Sequence, residues 1–210
     1  GEGLVNAMTL QGEMVIKKLN GKQKNGILNP LLGLGLFFFV NIGYTQDMPT
    51  GANVQSGNVT ITGTGTNHMV IDQATQKSII NWDSFSIHSG GRVDFNQPSA
   101  KSFSLNRVQG SMPSSIAGQL NSNGKVMLIN PNGVAITPNG VVDTGSFTAS
   151  TLNIKDNDFI NDNFSFEGNG QSKGVKNGGK IRIGGGGHAA LLGGYVSNTG
   201  TVTDRLGKIA

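Results

Sequence analysis

The sequence predicts an all-β chain, and three observations predict it. Of 210 residues, 33 are Gly and 23 are Asn, the two types that best tolerate positive-φ turn geometry. Only 13% are charged, too few for long amphipathic helices rich in Glu and Lys. Between the Gly and Asn residues lie many short runs of β-branched and apolar residues. The absence of Cys excludes a disulfide scaffold and a Cys-ligated metal. Collagen is excluded too, because Gly has no three-residue period and Pro numbers 6.

Residues 1–46 read as a leader. From Met14 onward the pattern is that of a Sec-type signal peptide, spanning 14–46. Lys17, Lys18, Lys22 and Lys24 form a positive start, and Ile27–Val40 is an apolar centre shorter than the roughly 20 residues of a membrane span. Cleavage is expected between Gly43 and Asp47. Residues 1–13 look unrelated to the fold. The leader also supplies much of the net charge of +4, so the rest of the chain lacks the basic excess that nucleic-acid binding needs.

Strand-like runs then follow in order. Asn58–Thr62 alternates polar and apolar residues, the period of a half-buried strand. Met69–Ile71, Ser78–Trp82, Ser84–Ile87, Arg92–Phe95, Ser102–Leu105 and Lys125–Ile129 come next. Later runs are Thr148–Ile154, Asn163–Phe166, Lys180–Ile183, His188–Leu192 and Tyr195–Val196. Gly, Asn, Pro or Asp stands at nearly every junction. The single helical candidate is Ser114–Leu120, behind Pro113 and limited by Gly118. The cluster Lys173, Lys176, Lys180 and Arg182 reads as a solvated loop.

Two architectures suit this pattern: a sandwich or barrel, and a parallel β-solenoid. The tail favours the solenoid, because short strands closed by Gly or Asn-x-Gly follow one another quickly from Gly179 to Thr203. In a solenoid each coil buries its inward residues against its neighbours, and Asn at a repeated corner can stack on the next coil's Asn. No rigorous period is visible, so the residues alone leave both architectures open.

Specific blocks carry a family resemblance. They are Ile80–Ile87, Leu105–Val108, Ser114–Gly118, Asn123–Leu128, Ile129–Val134 with Asn130-Pro131-Asn132-Gly133 at its centre, and Phe147–Ile154. In this order they resemble the N-terminal secretion domain of two-partner secretion exoproteins, the filamentous haemagglutinin type, with the high-molecular-weight adhesins nearest. The likeness runs from about Pro49 to the C-terminus. It implies a right-handed parallel β-helix with an N-terminal cap over residues 47–210. It also implies export through the periplasm to the surface or exterior of a Gram-negative bacterium. The implied partner is an outer-membrane β-barrel transporter with periplasmic POTRA domains. A host-surface or glycan receptor would belong to a region downstream. Family members continue far beyond such a domain, so the expectation is one truncated at its C-terminus.

The motif residues carry both structural and recognition readings. In Asn130-Pro131-Asn132-Gly133, Pro131 fixes φ at the second turn position, and Asn132 or Gly133 takes the positive φ that follows. A purely structural corner and a transporter-recognised surface are both open. Trp82 reads as core, with an exposed recognition aromatic as the alternative. Asn106-Arg107 is expected to pair with a carboxylate such as Asp94 or Asp83, or to contact the partner.

Catalytic and cofactor signals are weak. His68, His88 and His188 lack metal-ligand spacing, and no Gly-x-Ser-x-Gly occurs. Gly118–Lys125 has the wrong spacing for a P-loop, and Gly184–Gly187 lacks a dinucleotide-site context. Asp156, Asp158 and Asp162 read as a polar loop rather than a calcium site. Asn58 and Asn163 head glycosylation sequons, for which chance occurrence is the default. No cofactor and no metal is expected, and the chain is read as a non-enzyme. The alternatives are a β-helical polysaccharide lyase or hydrolase using Asp83 and Asp94, and a self-associating structural protein.

Overall fold

The computed structural model describes residues 5–10, 13–18, 47–168 and 173–205. The chain divides into two units, Gly1–Gly43 and Tyr44–Ala210. In the first, β1 (Val5–Leu10) and β2 (Glu13–Lys18) pair antiparallel. The apolar stretch Ile27–Val40, the cleavage region up to Gln46 and most of the leader lie outside the described residues.

The second unit is a right-handed parallel β-helix with an N-terminal cap. The cap is β3 (Asn53–Ser56) and β4 (Val59–Thr62), which lie antiparallel on the first coil. That coil is β5 (His68–Gln73), β6 (Lys77–Trp82) and a segment bridged at Ile87 to Ile116. The second coil is β7 (Arg92–Asn96), β8 (Phe103–Val108) and β9 (Ser114–Ile116). The third is β10 (Gln119–Ser122), β11 (Lys125–Ile129) and β12 (Val134–Ile136). The fourth begins with β13 (Val141–Thr144) and β14 (Ser146–Ser150). It then leaves the wall through β15 (Asn153–Ile154), α1 (Asp156–Ile160) and β16 (Phe166–Glu167), and returns as β17 (Gly174–Asn177). The fifth is β18 (Lys180–Ile183), β19 (Ala189–Leu192) and β20 (Tyr195–Asn198), and β21 (Thr201–Asp204) opens a sixth.

Stacking these coils makes three walls. The first holds β4, β5, β7, β10, β13, β18 and β21; the second β3, β6, β8, β11, β14 and β19; the third β9, β12, β17 and β20. Inward residues stack in register. One column on the first wall runs Met69, Val93, Leu120, Val142, Ile181 and Val202. The first five are buried, and Val202 packs against the same core. An Asn ladder forms where Asn177 and Asn198 are paired in register, Nδ2 to Oδ1 at 2.9 Å.

The second wall is buried on both faces. Ile80, Trp82, Val126 and Leu128 point into the main core. Ile79, Phe103, Leu105, Met127 and Ile129 point outward and pack with Ile154 and Phe159 of the excursion. Continuous apolar runs such as Val126–Ile129 follow from this two-sided burial. Arg107 and Lys77 hold the excursion down. Lys77 Nζ donates to the carbonyls of Phe159 (3.2 Å) and Ile160 (2.7 Å) and pairs with Asp162 at 2.7 Å.

Several expectations are corrected. Ser114–Leu120 is not a helix. Ile116 and Leu120 each enter the core from a different wall, and Gly118 turns the corner between them with its N–H on Ile87 O at 3.0 Å. A Cβ at Gly118 would sit 2.2 Å from Gly91 O, so the corner needs Gly. Thr148–Ile154 is broken at Thr151, and Ser84–Ile87 forms a bridged segment rather than a strand. Of Asn163–Phe166 only Phe166 is in a strand. The polar loop of Asp156 and Asp158 is helix α1. The basic cluster is not one loop: Lys176 lies in β17 on the third wall, and Lys180 and Arg182 lie in β18 on the first.

Candidate functional site

The Asn130–Gly133 turn is built before it is shown to a partner. Gly133 N–H donates to Asn130 O at 3.0 Å and closes the turn, and Gly133 holds φ of 116°. Asn130 is wholly buried and works in three directions. Its Oδ1 accepts from Asn132 N–H at 2.9 Å, and its Nδ2 donates to Met112 O at 2.9 Å and Ser114 Oγ at 3.0 Å. Asn132 Nδ2 donates to Gly110 O at 2.8 Å. The two Asn side chains therefore staple the third coil to the 110–114 corner of the second. Met112, at that corner, is 67% exposed. Pro131 and Asn132 are half-buried, and Gly133 is buried.

Asn106 and Arg107 point to opposite sides of β8. Asn106 is wholly buried in an otherwise apolar column between Ile80 and Leu128. It accepts from Trp82 Nε1 at 3.0 Å, and its Nδ2 donates to Ser104 Oγ at 3.1 Å. Trp82 is core, packed edge-on against Phe85 with ring centroids 5.2 Å apart. Arg107 does not reach Asp94 or Asp83. Asp94 lies on the outer side of the first wall and Asp83 at the corner after β6. Arg107 turns outward from the second wall and meets Asp156 at 2.8 Å, Asn153 Oδ1 at 2.8 Å, Ile154 O at 2.8 Å and Asn81 Oδ1 at 3.3 Å.

Sequence reasoning missed the partners of Asn106. Ser122 donates to Gln97 Oε1 at 2.5 Å, and Gln97 Nε2 donates to Gln73 Oε1 at 3.2 Å. Ser78 donates to the same Gln73 oxygen at 2.8 Å, and the Ser78 and Ser104 hydroxyls are 3.1 Å apart. With Asn106 and Trp82 this forms one buried polar chain across the corner between the first two walls. The available signal was polar residues at inward positions of alternating strands, as in Ser78-x-Ile80 and Ser104-x-Asn106.

The outer side of the first wall carries a second polar group. Asp94 meets His68 Nε2 at 2.7 Å, Arg92 Nε at 2.8 Å and Asn121 Nδ2 at 2.8 Å. Partial burial alone would raise the Asp94 carboxyl; the hydrogen bonds from Arg92, Asn121 and His68 more than offset it and hold it below its ordinary value. Asp156, Asp158 and Asp162 are engaged with Arg107, Asn163 and Lys77 respectively. Asp83 and Asp94 are not brought together as an acid–base pair.

The TPS secretion domain family matches residues 45–209, nearly the whole of the second unit. The chain belongs to this family. Two heme/hemopexin-binding proteins of Haemophilus influenzae are each 39% identical to it, over 139 and 111 residues (66% and 53% of the chain). The chain spans 15% and 12% of the length of these curated relatives. The crystal structure of the HMW1 secretion domain from Haemophilus influenzae superposes with a TM-score of 0.70 at 35% identity, covering 74% of this chain and 42% of that one. The β-helix described above is thus the fold of a secretion domain with a solved counterpart.

Proposed function

We propose that residues 47–210 are the export address of a longer secreted exoprotein, preceded by a Sec-type leader. The domain is read in the periplasm by the POTRA domains of a dedicated outer-membrane β-barrel transporter, which passes the chain to the cell surface or exterior. The observation that carries this reading is the family match across residues 45–209. The domain acts by being bound, with no catalytic step. The engagement of Asp94 by three neighbours supports that view over a lyase or hydrolase.

Within the site, Asn130, Asn106 and Arg107 work by building the surface, in keeping with their burial. Pro131 and Asn132 form its reachable part, together with the corner that Asn130 and Asn132 hold. The activity of the whole exoprotein belongs to sequence outside this domain. The names of the relatives favour a haem- or hemopexin-binding passenger; the resemblance of the sequence blocks to the high-molecular-weight adhesins favours a surface adhesin with a host or glycan receptor.

The test is co-purification of this chain with the periplasmic part of its cognate transporter. Binding is expected, and weaker binding and export from Asn132→Ala while that variant stays folded at the assay temperature, against unchanged binding and export from Asn139→Ala. No binding by the unmodified chain, with normal export of the Asn132 variant, would overturn the reading.

A further inference from the structure

Four Asn-Gly pairs lie among the described residues: Asn123-Gly124, Asn132-Gly133, Asn139-Gly140 and Asn177-Gly178. The Gly nitrogen is the atom that attacks the Asn side chain in intramolecular deamidation. In every pair its N–H is engaged. Gly124 donates to Ser122 Oγ at 3.0 Å, Gly133 to Asn130 O at 3.0 Å, Gly140 to Thr137 O at 2.8 Å and Gly178 to Ile136 O at 2.8 Å. That protection is common to all four.

The side chains differ. Asn123 is held at both ends, Oδ1 by Gln97 N–H at 2.8 Å and Nδ2 on Gln97 O at 2.7 Å. Asn132 is held by Gly110 O at 2.8 Å. Asn177 is buried, with Nδ2 on Asn198 Oδ1 at 2.9 Å and Oδ1 accepting from Gly179 N–H at 3.1 Å. Asn139 is exposed, and its side chain makes no hydrogen bond among the described residues. Residues 130–133 and 137–140 are both x-Pro-Asn-Gly turns closed by the same hydrogen bond, so they differ mainly in this tether.

We propose that Asn139 is a spontaneous modification site of the folded domain, and that the other three pairs stay intact until the chain unfolds. The Gly140 nitrogen loses its proton to hydroxide and attacks Asn139 Cγ. The bond from Cγ to the side-chain nitrogen breaks and ammonia leaves, giving a five-membered succinimide. Water then opens the ring at either carbonyl, giving aspartate or isoaspartate. Water is the sole co-reactant. Isoaspartate adds a methylene to the backbone at a corner with little slack: a Cβ at Gly140 would sit 2.1 Å from Ile116 O, and Val141 N–H is bonded to Gly118 O at 2.9 Å. The modified form therefore loosens the junction of β12 and β13.

The full chain is incubated folded at mildly alkaline pH and, in parallel, in urea at the same pH. Peptide mapping with fragmentation that separates aspartate from isoaspartate follows each site. Each side-chain hydrogen bond that must break before Cγ is free slows reaction by roughly threefold to tenfold. Asn139 is therefore expected to react about tenfold faster than Asn123, Asn132 or Asn177 when folded, with the spread collapsing in urea. Asn130→Ala removes the Asn130 Oδ1 that accepts from Asn132 Nδ2 at 3.2 Å and from Asn132 N–H at 2.9 Å, and is expected to speed Asn132 while leaving Asn139 unchanged. If that variant fails to fold, all four sites rise together as in urea, and the unmodified chain still decides. Any of the three tethered sites reacting as fast as Asn139 in the folded chain would overturn the proposal. So would an Asn139 that reacts only in urea.

Discussion

Arg107 and Asp156 form an ion pair, Nη2 to Oδ1 at 2.8 Å, between the second wall of the solenoid and the first residue of helix α1. The Arg107 side chain is only 14% exposed and also bonds Asn153 and Ile154 O. Lys77 reaches carbonyls at the other end of the same five-residue helix. A helix this short has little intrinsic stability. Two cations on the wall, with the Phe159 contact beneath, hold it in place.

Arg107→Ala should therefore release the excursion before it unfolds the solenoid. Hydrogen bonds to charged groups contribute about 1.5–3 kcal/mol each when they can be isolated, and less where solvent screens the partner, as at the exposed Asp156 and Asn153, so a loss of about 1–2 kcal/mol is expected. Limited proteolysis should show new cutting near residues 156–168, and urea unfolding should give the stability change. Lys155→Ala removes the fully exposed pair with Glu167 and should change neither. Equal protease resistance in both variants would rule out the clamp.

The buried chain from Ser122 to Trp82 should behave as a unit. Asn106→Ala leaves the Trp82 N–H without a partner in the core, a penalty of about 1–3 kcal/mol before the cavity is counted. Trp82 is the only Trp, so its emission reports this one site. A shifted emission maximum and a lower urea midpoint are expected. A double-mutant cycle of Asn106→Ala with Ser78→Ala should show coupling of about 0.5 kcal/mol or more. Simple additivity would mean that the hydroxyls and amides act separately.

Much of this architecture was legible in residues. Period-two runs and Gly or Asn corners place most strands, and the Asn130–Gly133 block carries the family likeness. The solenoid period was not legible, because coil length varies. Register partners stand at 180 and 201 in one coil step but at 141 and 180 in another, where the excursion intervenes. Helix α1 was hidden for a related reason. Its Asp and Asn residues are poor helix formers, and wall residues far away in sequence, Arg107 and Lys77, hold it. Ser114–Leu120 misled in the opposite sense, since a Ser start behind Pro113 suits a helix, but Ile116 and Leu120 face the core from two walls joined at Gly118. The inward placement of Asn106 left only a faint trace, the alternation Ser104-x-Asn106. A polar residue at a strand position looks exposed until its register neighbours Ile80 and Leu128 are known.

The two Pro-Asn-Gly turns give a paired test of the recognition corner. Asn132→Ala removes the bond to Gly110 O and should cost about 1 kcal/mol. Asn139→Ala removes no side-chain bond and should leave stability unchanged. Gly133→Ala forces an L residue to φ of 116° and should cost at least about 1 kcal/mol. Thermal unfolding of the three variants checks the order. Equal losses at positions 132 and 139 would show that the staple to the second coil contributes nothing.

Asp94 sets an acid limb to stability. Its carboxyl lies below the ordinary value in the folded state, because hydrogen bonds from Arg92, Asn121 and His68 outweigh partial burial. A depressed folded value means that the unfolded chain takes up the proton first. The contribution is therefore fully present above the unfolded value of about 3.9 and is lost as pH falls through the lower folded value. These contacts join three successive strands, β5, β7 and β10, so their loss should loosen the first wall rather than a single loop. Urea midpoints measured from neutral pH downward should fall below pH about 4. Asp94→Asn should start lower at neutral pH and show a flatter acid limb. A variant as acid-sensitive as the unmodified chain would assign that limb to other carboxylates.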